Sequence, residues 1–532
     1  MAGAIVVTLL SWPTIEQGPL NVDEELTLRM ADYSFGHIFH IVSTERGGGP
    51  FHFWLEHFLL DWWPGLMALR LPSLVLLVIA LPAVALIARR LVGDVAAAGV
   101  VLLTAASPIP VLYATFGRPH TMLFAWLSWG TVLSLRAADE GDRRWWAAAG
   151  AFLGLSVFVH PTAPLYALTA FGASMVYAWR RPRVILSQAW PGIVALLVTF
   201  LPYYVATLHV LSDRYGVGSG RSGRTFSGRP VWEDALHFVA PGHADLNWFT
   251  ALATLGTVVL LVRRKYGVVA FCVLTVLAPV VFFTYVPTNG VSALFFDRYM
   301  IPVTPAFLVL VLAGIVEVAR LAGPARIVVV AVAVGFLLHI ELQPDLRHLH
   351  HLEAIHVNAV VGAASHEPRG TVLFGSTGTS GAIFSSFDFG HPANVLDHLV
   401  ALRVPSLDYV DDDSCERVLG FLNGPRTPRY GLWIFYAASP DEAAAAQAAL
   451  GVAPVAGRYF VVRSATPLPP RELIRKGIEL RSAWKKAVPF NRRVDELLQS
   501  DRELLAGTCV PYGDLGDPDI SPVWPPLPSP HQ

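Results

Sequence analysis

Charge is what this chain has least of. Only 15% of its 532 residues are Asp, Glu, Lys or Arg, where a soluble protein of this size carries nearer a quarter. Lysine is confined to Lys265, Lys476, Lys485 and Lys486, and the formal net charge is −1. No large basic field exists, which argues against nucleic acid as a partner. Cysteine is scarce too. Cys272 falls inside an apolar run and reads as packing; Cys415 and Cys509 fall in the C-terminal part and are free to pair if that part faces an oxidising compartment. The opening segment lacks the basic start and small-residue cleavage pattern of a signal peptide.

What fills the space is apolar sequence. Hydrophobic residues make up 54% of the chain and mean hydropathy is +0.49. Long apolar runs recur to about residue 340 and then stop. That pattern is a polytopic membrane region followed by a soluble one. The high Arg-to-Lys ratio with abundant Ala and Gly is associated with GC-rich bacterial genomes. A span needs about 20 apolar residues. Spans are expected near Leu66–Ala88, Val95–Leu112, Thr121–Leu135, Trp145–Val159, Leu165–Tyr177, Ile193–Val210, Trp248–Val262, Val268–Val286, Ile301–Val318 and Ile327–His339. Ala2–Trp12 is short for a span and reads as a truncated first one, which brings the expected total to about eleven.

Loop charges orient these spans. Arg89 and Arg90, Arg136 with Arg143 and Arg144, Arg180 with Arg181 and Arg183, Arg263 with Arg264 and Lys265, and Arg320 with Arg326 occupy every second loop. Cytoplasmic loops carry this excess. The alternate loops then face outward: the one holding Asp23, then Ser107–His120, His160–Pro164, Ser212–Asn247 and Pro287–Tyr299. An odd number of spans puts everything after Glu341 outside as well. The expected domains are 1–340 in the membrane, 341–510 outside, and a Pro-rich disordered tail over 511–532. In the outer part, Thr371–Phe374, Leu432–Tyr436 and Tyr459–Val462 read as short buried strands and Pro440–Leu450 as a helix. A small α/β or α+β domain follows. Arg471–Leu505 alternates basic and apolar residues at helical spacing, read as a solvated helix packed on that domain or one lying on the membrane surface.

The first outer loop is dense in functional groups: Asn21-Val22-Asp23-Glu24-Glu25, then Gly47-Gly48-Gly49-Pro50-Phe51-His52-Phe53-Trp54-Leu55-Glu56-His57. Leu69-Arg70-Leu71-Pro72-Ser73 opens the next span, and Ile87-Ala88-Arg89-Arg90-Leu91-Val92-Gly93 closes it. Tyr113-Ala114-Thr115-Phe116-Gly117-Arg118-Pro119-His120 and Arg298-Tyr299-Met300-Ile301-Pro302-Val303-Thr304-Pro305 follow. In this order the chain resembles the polyprenyl-phosphate-sugar-dependent glycosyltransferases of the GT-C superfamily. The similarity is to the bacterial family 39-like branch related to protein O-mannosyltransferases and lipid A aminoarabinose transferases. That branch shows an Asp-Glu pair, a "HPPLYYLL-H" segment, "LRLPS", "LARRLFG", "Y-x-x-x-ARPY" and "RYLLPxxP". His120 stands where the last Tyr of "ARPY" is usual. The resemblance covers about residues 20 to 320 and leaves the outer domain unassigned.

The resemblance implies an α-helical polytopic GT-C fold with a small extracytoplasmic α/β domain, a polyprenyl-phosphate sugar donor, and a glycan, lipid-linked glycan or protein acceptor. An acceptor hydroxyl is a poor nucleophile, so a carboxylate must take its proton; the resemblance assigns this to Asp23, with Glu24 orienting acceptor or base. The lipid phosphate leaves with charge that fixed guanidiniums can stabilise, and Arg118 and Arg298 are the candidates. Inversion at the anomeric carbon is implied. His52, His57, His120 and Tyr299 are candidate substrate contacts. No metal and no cofactor are expected: the first loop holds no Asp-x-Asp motif, Asp411-Asp412-Asp413 reads as a solvated turn, and His348, His350, His351, Glu353 and His356 as a solvated juxtamembrane helix.

Blander readings stand beside these. Asp23 and Glu24 also suit an acidic first helical turn, Arg118 and Arg298 suit headgroup anchors, His52, His57 and His160 suit packed loop histidines, and the Gly218–Arg224 loop suits a plain connector as well as a mobile lid. Two rival functions remain: a transporter or flippase of lipid-linked glycans, and a non-catalytic glycan-binding member. Carriers need polar or broken helices at mid-membrane, whereas polar residues here gather at the outer span ends.

Overall fold

The computed structural model describes residues 1–15, 22–46, 48–63, 65–178, 182–215, 248–285, 297–342, 356–374, 377–378, 396–410, 415–437 and 440–487, with a few isolated positions besides. Contacts divide the chain into two compact units. The first comprises Met1–Ile15, Ser34–Trp62 and Met67–Pro344; the second comprises Glu16–Tyr33, Trp63–Leu66 and Asp345–Gln532.

The first unit is a helical bundle. Five helical stretches among the described residues are long and apolar enough to cross a membrane: Leu66–Val92, Ile185–Val210, Tyr266–Tyr285, Arg298–Arg320 and Gly323–Glu341. A sixth forms if Asp94–Ala106 and Pro108–Ala114 count as one span bent by 57°. The bend lies inside the predicted run Val95–Leu112 and has a local cause. Ser107 precedes Pro108, and the proline ring drives its predecessor out of helical geometry; Ser107 takes ψ 132. Shorter apolar helices are Ala2–Pro13 and Trp248–Val262. Large apolar side chains such as Leu9, Leu186, Val198, Val205 and Val332 are exposed, an outward face that suits hydrocarbon and not water.

Within the bundle, Arg298–Arg320 is central, 78% of its apolar window being buried, while only 17% of that of Gly323–Glu341 is. Its partner Trp248–Val262 approaches very closely, because glycine stands at the crossing. A Cβ on Gly256 would lie 1.9 Å from the Leu310 carbonyl oxygen, and one on Gly314 would lie 2.4 Å from that of Leu252. Lipid offers no hydrophobic drive for helix association, so backbone-to-backbone packing of this kind supplies much of the cohesion.

The second unit holds a five-stranded sheet: β1 (Val372–Phe374), β2 (Thr377–Gly378), β3 (Asp408–Val410), β4 (Gly431–Tyr436) and β5 (Tyr459–Arg463). One edge of β4 takes β1 at its start and β2 at its end, both parallel; the other takes β5 antiparallel; β3 pairs β1. Every residue of β4 is buried, as a strand covered on both faces requires. Helices Pro440–Leu450 and Pro470–Ala487 cover the sheet, and Trp484 packs its ring 5.2 Å from Phe435. The three predicted strands and the helix Pro440–Leu450 are all present. β2 and β3 were not anticipated, being two and three residues long.

Candidate active site

Four of the motif-bearing segments meet in the first unit. The turn after helix Pro108–Ala114 is the hub. Its carbonyls are held from two directions: the Ser73 hydroxyl donates to the Phe116 oxygen at 2.6 Å, and His52 Nε2 lies 3.1 Å from the Gly117 oxygen. Position 117 must be glycine, since a Cβ there would lie 2.9 Å from the Leu69 carbonyl oxygen and closer still to its side chain. "LRLPS" therefore works as a bracket: Leu69 leaves room for nothing but glycine, Ser73 fixes the next carbonyl, and buried Arg70 donates to the Ile15 oxygen at 3.1 Å.

The His52 interaction also sets its protonation. Because Nε2 faces a carbonyl, it carries the ring hydrogen, and Nδ1 faces Glu56 Oε1 at 3.8 Å. His52 lies on helix Pro50–Trp62, outside the candidate spans. Burial, and then the Arg118 guanidinium, lower its pKa to about 3. The ring is neutral at any working pH.

Arg118 is half-buried at this turn and Arg298 half-buried on the short helix Asp297–Val303. Both act electrostatically on His120, as do His160 and His52; with burial as the leading cause, they hold the His120 imidazole well below its ordinary pKa. His120 is buried, and its Nε2 has no hydrogen-bond partner among the described residues. Rings pack round it: Tyr113 at 4.9 Å and His160 at 5.3 Å. His160 Nδ1 accepts from the Thr162 N–H at 3.2 Å and lies 2.7 Å from its hydroxyl, so in the neutral ring Nε2 carries the hydrogen. Tyr299 lies 5.9 Å from His160, stacks on Phe283 at 5.1 Å, and has its carbonyl fixed by the Tyr166 hydroxyl. Two guanidiniums thus act on buried imidazoles, of which His52 and His120 are held neutral. Such a site is prepared for an anion: the cations cannot discharge by losing protons, and the imidazoles add hydrogen-bond capacity without more charge.

Of the predicted residues, Arg118, Arg298, His52, His120 and Tyr299 come together. His57 turns elsewhere, with its ring 4.7 Å from Phe35. Asp23 and Glu24 lie on helix Val22–Ala31, in the second unit; Glu24 is fully buried, and the Asp23 side chain lies outside the described residues. So do Gly218–Arg224, His348, His350, His351, Glu353, Asp411–Asp413 and Cys509. His356 is described, and its ring lies 6.1 Å from Tyr459. Sequence reading took His160 as a packed loop histidine and gave Glu56 no role. A histidine opening an outward turn, before Pro161, was the available signal for the first. Glu56 sits four residues after His52 on one helix face, and is fully buried; that i, i+4 pairing was the signal for the second.

Residues 49–205 match the family model for dolichyl-phosphate-mannose-protein mannosyltransferase. The match bears out the resemblance to GT-C glycosyltransferases that use lipid-phosphate-linked donors. No curated protein sequence matches the chain. Among solved structures, the chain is similar to ArnT from Cupriavidus metallidurans in the apo state, with 17% identity and a TM-score of 0.49 over 87% of this chain and 97% of that one. The same protein bound to undecaprenyl phosphate gives 18%, 0.46, 87% and 97%. The Archaeoglobus fulgidus oligosaccharyltransferase complexed with zinc and sulfate gives 10%, 0.41, 85% and 68%.

Proposed function

We propose that this chain is a GT-C-type membrane glycosyltransferase that moves a sugar from an undecaprenyl- or decaprenyl-phosphate donor to an acceptor hydroxyl, with inversion. The observation that carries this reading is the meeting of the Gly49–His57, Leu69–Ser73, Tyr113–His120 and Arg298–Pro305 segments at one half-buried pair of arginines. An anion-ready site at the ends of apolar helices suits a lipid phosphate better than it suits a water-soluble one. In this reading Arg118 and Arg298 grip the donor phosphate, and His120 Nε2 completes its hydrogen bonding.

The reaction then needs one proton acceptor. The acceptor hydroxyl attacks the anomeric carbon as Asp23 takes its proton, the carbon–oxygen bond to phosphate breaks, and the lipid phosphate monoester departs with both electrons. Attack and departure on opposite faces invert the centre. Arg118 and Arg298 stabilise charge where it develops, which is the larger part of catalysis in sites of this type. Glu24 orients the base or the acceptor. The acceptor class is a cell-wall polysaccharide, a lipid-linked glycan or a secreted protein. The proposed location is the outer face of a bacterial cytoplasmic membrane, with the C-terminal unit on the same side.

The test is sugar transfer from a synthetic polyprenyl-phosphate sugar by purified Asp23→Asn. Transfer is expected to fall by about 10²–10⁴-fold, the usual worth of a general base, while donor binding persists. Transfer at the wild-type rate removes Asp23 from this role. Protease accessibility in spheroplasts checks the topology: protection of residues after Glu341 overturns the outward orientation.

A further inference from the structure

The other end of the helical bundle carries a second charged site that the proposed reaction does not use. Helix His120–Glu140 begins at the candidate active site, and 21 residues later ends here, about 30 Å away at 1.5 Å per residue. Its Asp139 and Glu140 line a cleft together with Arg90, Tyr177, Gln188 and the turn Arg263-Arg264-Lys265. The cleft is open to solvent and spans about 1360 Å³, open solvent included.

Its carboxylates are engaged. Asp139 is bound by Arg90, which also hydrogen-bonds Tyr177. Glu140 pairs with Arg136 at 2.7 Å, and Glu317 pairs with Arg263 at 2.6 Å and Arg320 at 3.0 Å. Among the described residues in these pairs and in the cleft lining, cations outnumber carboxylates: Arg90, Arg136, Arg263, Arg264, Lys265 and Arg320 stand against Asp139, Glu140 and Glu317. Gln188 adds a side-chain oxygen with no hydrogen-bond partner among the described residues.

The turn itself is unusual. Arg264 is the one non-glycine residue with positive φ among those described, at 58°. The Lys265 N–H reaches back to the Leu260 oxygen at 2.8 Å and the Arg264 N–H to Leu261 at 2.9 Å. This is a Schellman-type helix end, whose left-handed position glycine normally fills. An arginine there costs about 1–2 kcal/mol. The turn is clamped as well, since a Cβ on Gly267 would lie 2.4 Å from the Tyr177 oxygen. Orientation in the membrane requires only positive charge in this loop, and Arg263 with Lys265 would supply it. It does not require a strained arginine aimed into a cleft.

We infer that this cleft binds the phosphodiester headgroup of an anionic phospholipid, with Arg264 and Lys265 as its principal contacts. The cationic turn is flanked by Val262, 76% exposed, and Tyr266, 56% exposed. Apolar and aromatic surface immediately beside the cations is the pattern of the boundary between headgroups and hydrocarbon, and it favours a lipid over a soluble phosphate. The inference rests on the membrane-spanning reading of the helices and not on glycosyl transfer.

The experiment uses the full-length protein in phosphatidylcholine nanodiscs with and without 30 mol%, roughly, of phosphatidylglycerol, read by thermal unfolding and by native mass spectrometry of retained lipid. Phosphatidylglycerol is expected to raise the wild-type midpoint and to be retained at least tenfold over phosphatidylcholine. Arg264→Gly with Lys265→Gln is expected to lose that preference. Arg264→Gly alone is expected to unfold at or above the wild-type midpoint in pure phosphatidylcholine, because the backbone strain is gone, yet to respond less to phosphatidylglycerol. Arg264→Lys, which keeps charge and strain, is expected to respond as wild type. An undiminished response in the double variant overturns the site. Equal stabilisation of wild type by millimolar pyrophosphate overturns the lipid as its source. Both readouts are independent of sugar transfer, so failure here leaves the glycosyltransferase reading standing, and the reverse.

Discussion

The two ends of helix His120–Glu140 both gather arginines, and they treat them in opposite ways. At the Glu140 end Asp139, Glu140 and Glu317 each meet a guanidinium across a partly exposed surface. At the His120 end Arg118 and Arg298 stand among buried imidazoles, backbone carbonyls and aromatic rings, with the buried Glu56 carboxylate beside His52. Paired charges in high dielectric contribute little and do little. Cations held among buried groups act through a less screened field. Arginine content alone thus does not mark a site; burial of the groups around the arginines does.

The largest effects should come from the His120 end. Replacing Arg118 and Arg298 together by Ala removes two charge-assisted contacts, each worth about 1.5–3 kcal/mol. Donor affinity or kcat/KM should fall by about 10²–10³-fold or more. Arg90→Gln, at the other end, should leave transfer within about twofold of wild type. Transfer assays on the two variants in parallel decide the matter, and equal losses would erase the distinction between the ends.

Glycine exchange gives the next contrast, with opposite signs at the two ends. Gly117→Ala puts a methyl against the Leu69 carbonyl, so the turn bearing Arg118 must shift. Overpacking of this kind costs about 1–3 kcal/mol and should lower activity along with the unfolding midpoint. Arg264→Gly relieves strain and should raise the midpoint. If Gly117→Ala unfolds like wild type, the bracket formed by Leu69 and Ser73 is looser than described.

Much of this was legible in the sequence, for reasons that can be named. The "LRLPS" and "RYMIPVTP" segments stood out because they resemble a known family's motifs in their order along the chain. Alternating loop charge foretold that Arg90, Arg263, Arg264 and Lys265 share one end, and they line one cleft. Other features were illegible because they depend on contacts distant in sequence. His160 read as an ordinary loop histidine, and only folding sets it 5.3 Å from His120. The left-handed Arg264 looked like any basic loop residue. The role of Gly117 is to be absent from the space that Leu69 occupies, which no local pattern encodes.

A smaller effect separates the ends by pH. With His52 lowered to about 3 from about 6.5 in the unfolded chain, the unfolded state takes up a proton between these values and the native state does not. The resulting stability is therefore present in full above about pH 6.5 and declines by up to about 1.4 kcal/mol per pH unit as pH falls toward 3. His52→Gln can still donate to the Gly117 carbonyl but does not titrate. Its unfolding midpoint should fall less steeply than that of wild type between pH 6.5 and 4.5. Parallel slopes would mean that His52 is protonated in the folded protein, contrary to its placement beside Arg118.

The smallest effect belongs to the paired end, and it is the sharpest check on the comparison because it predicts near silence. Arg90 and Asp139 have side chains 28% and 40% exposed, so their attraction is screened by water and salt. Asp139→Asn should change stability by about 0–1 kcal/mol, and the difference should shrink further on going from low to about 0.5 M salt, where the Debye length falls below about 5 Å. The same salt step should affect the unfolding of Arg118→Ala no more than that of wild type, since buried surroundings screen little. A loss above about 2 kcal/mol for Asp139→Asn, unmoved by salt, would show that the cleft is packed and desolvated like the His120 end, and the two ends would then differ in composition but not in kind.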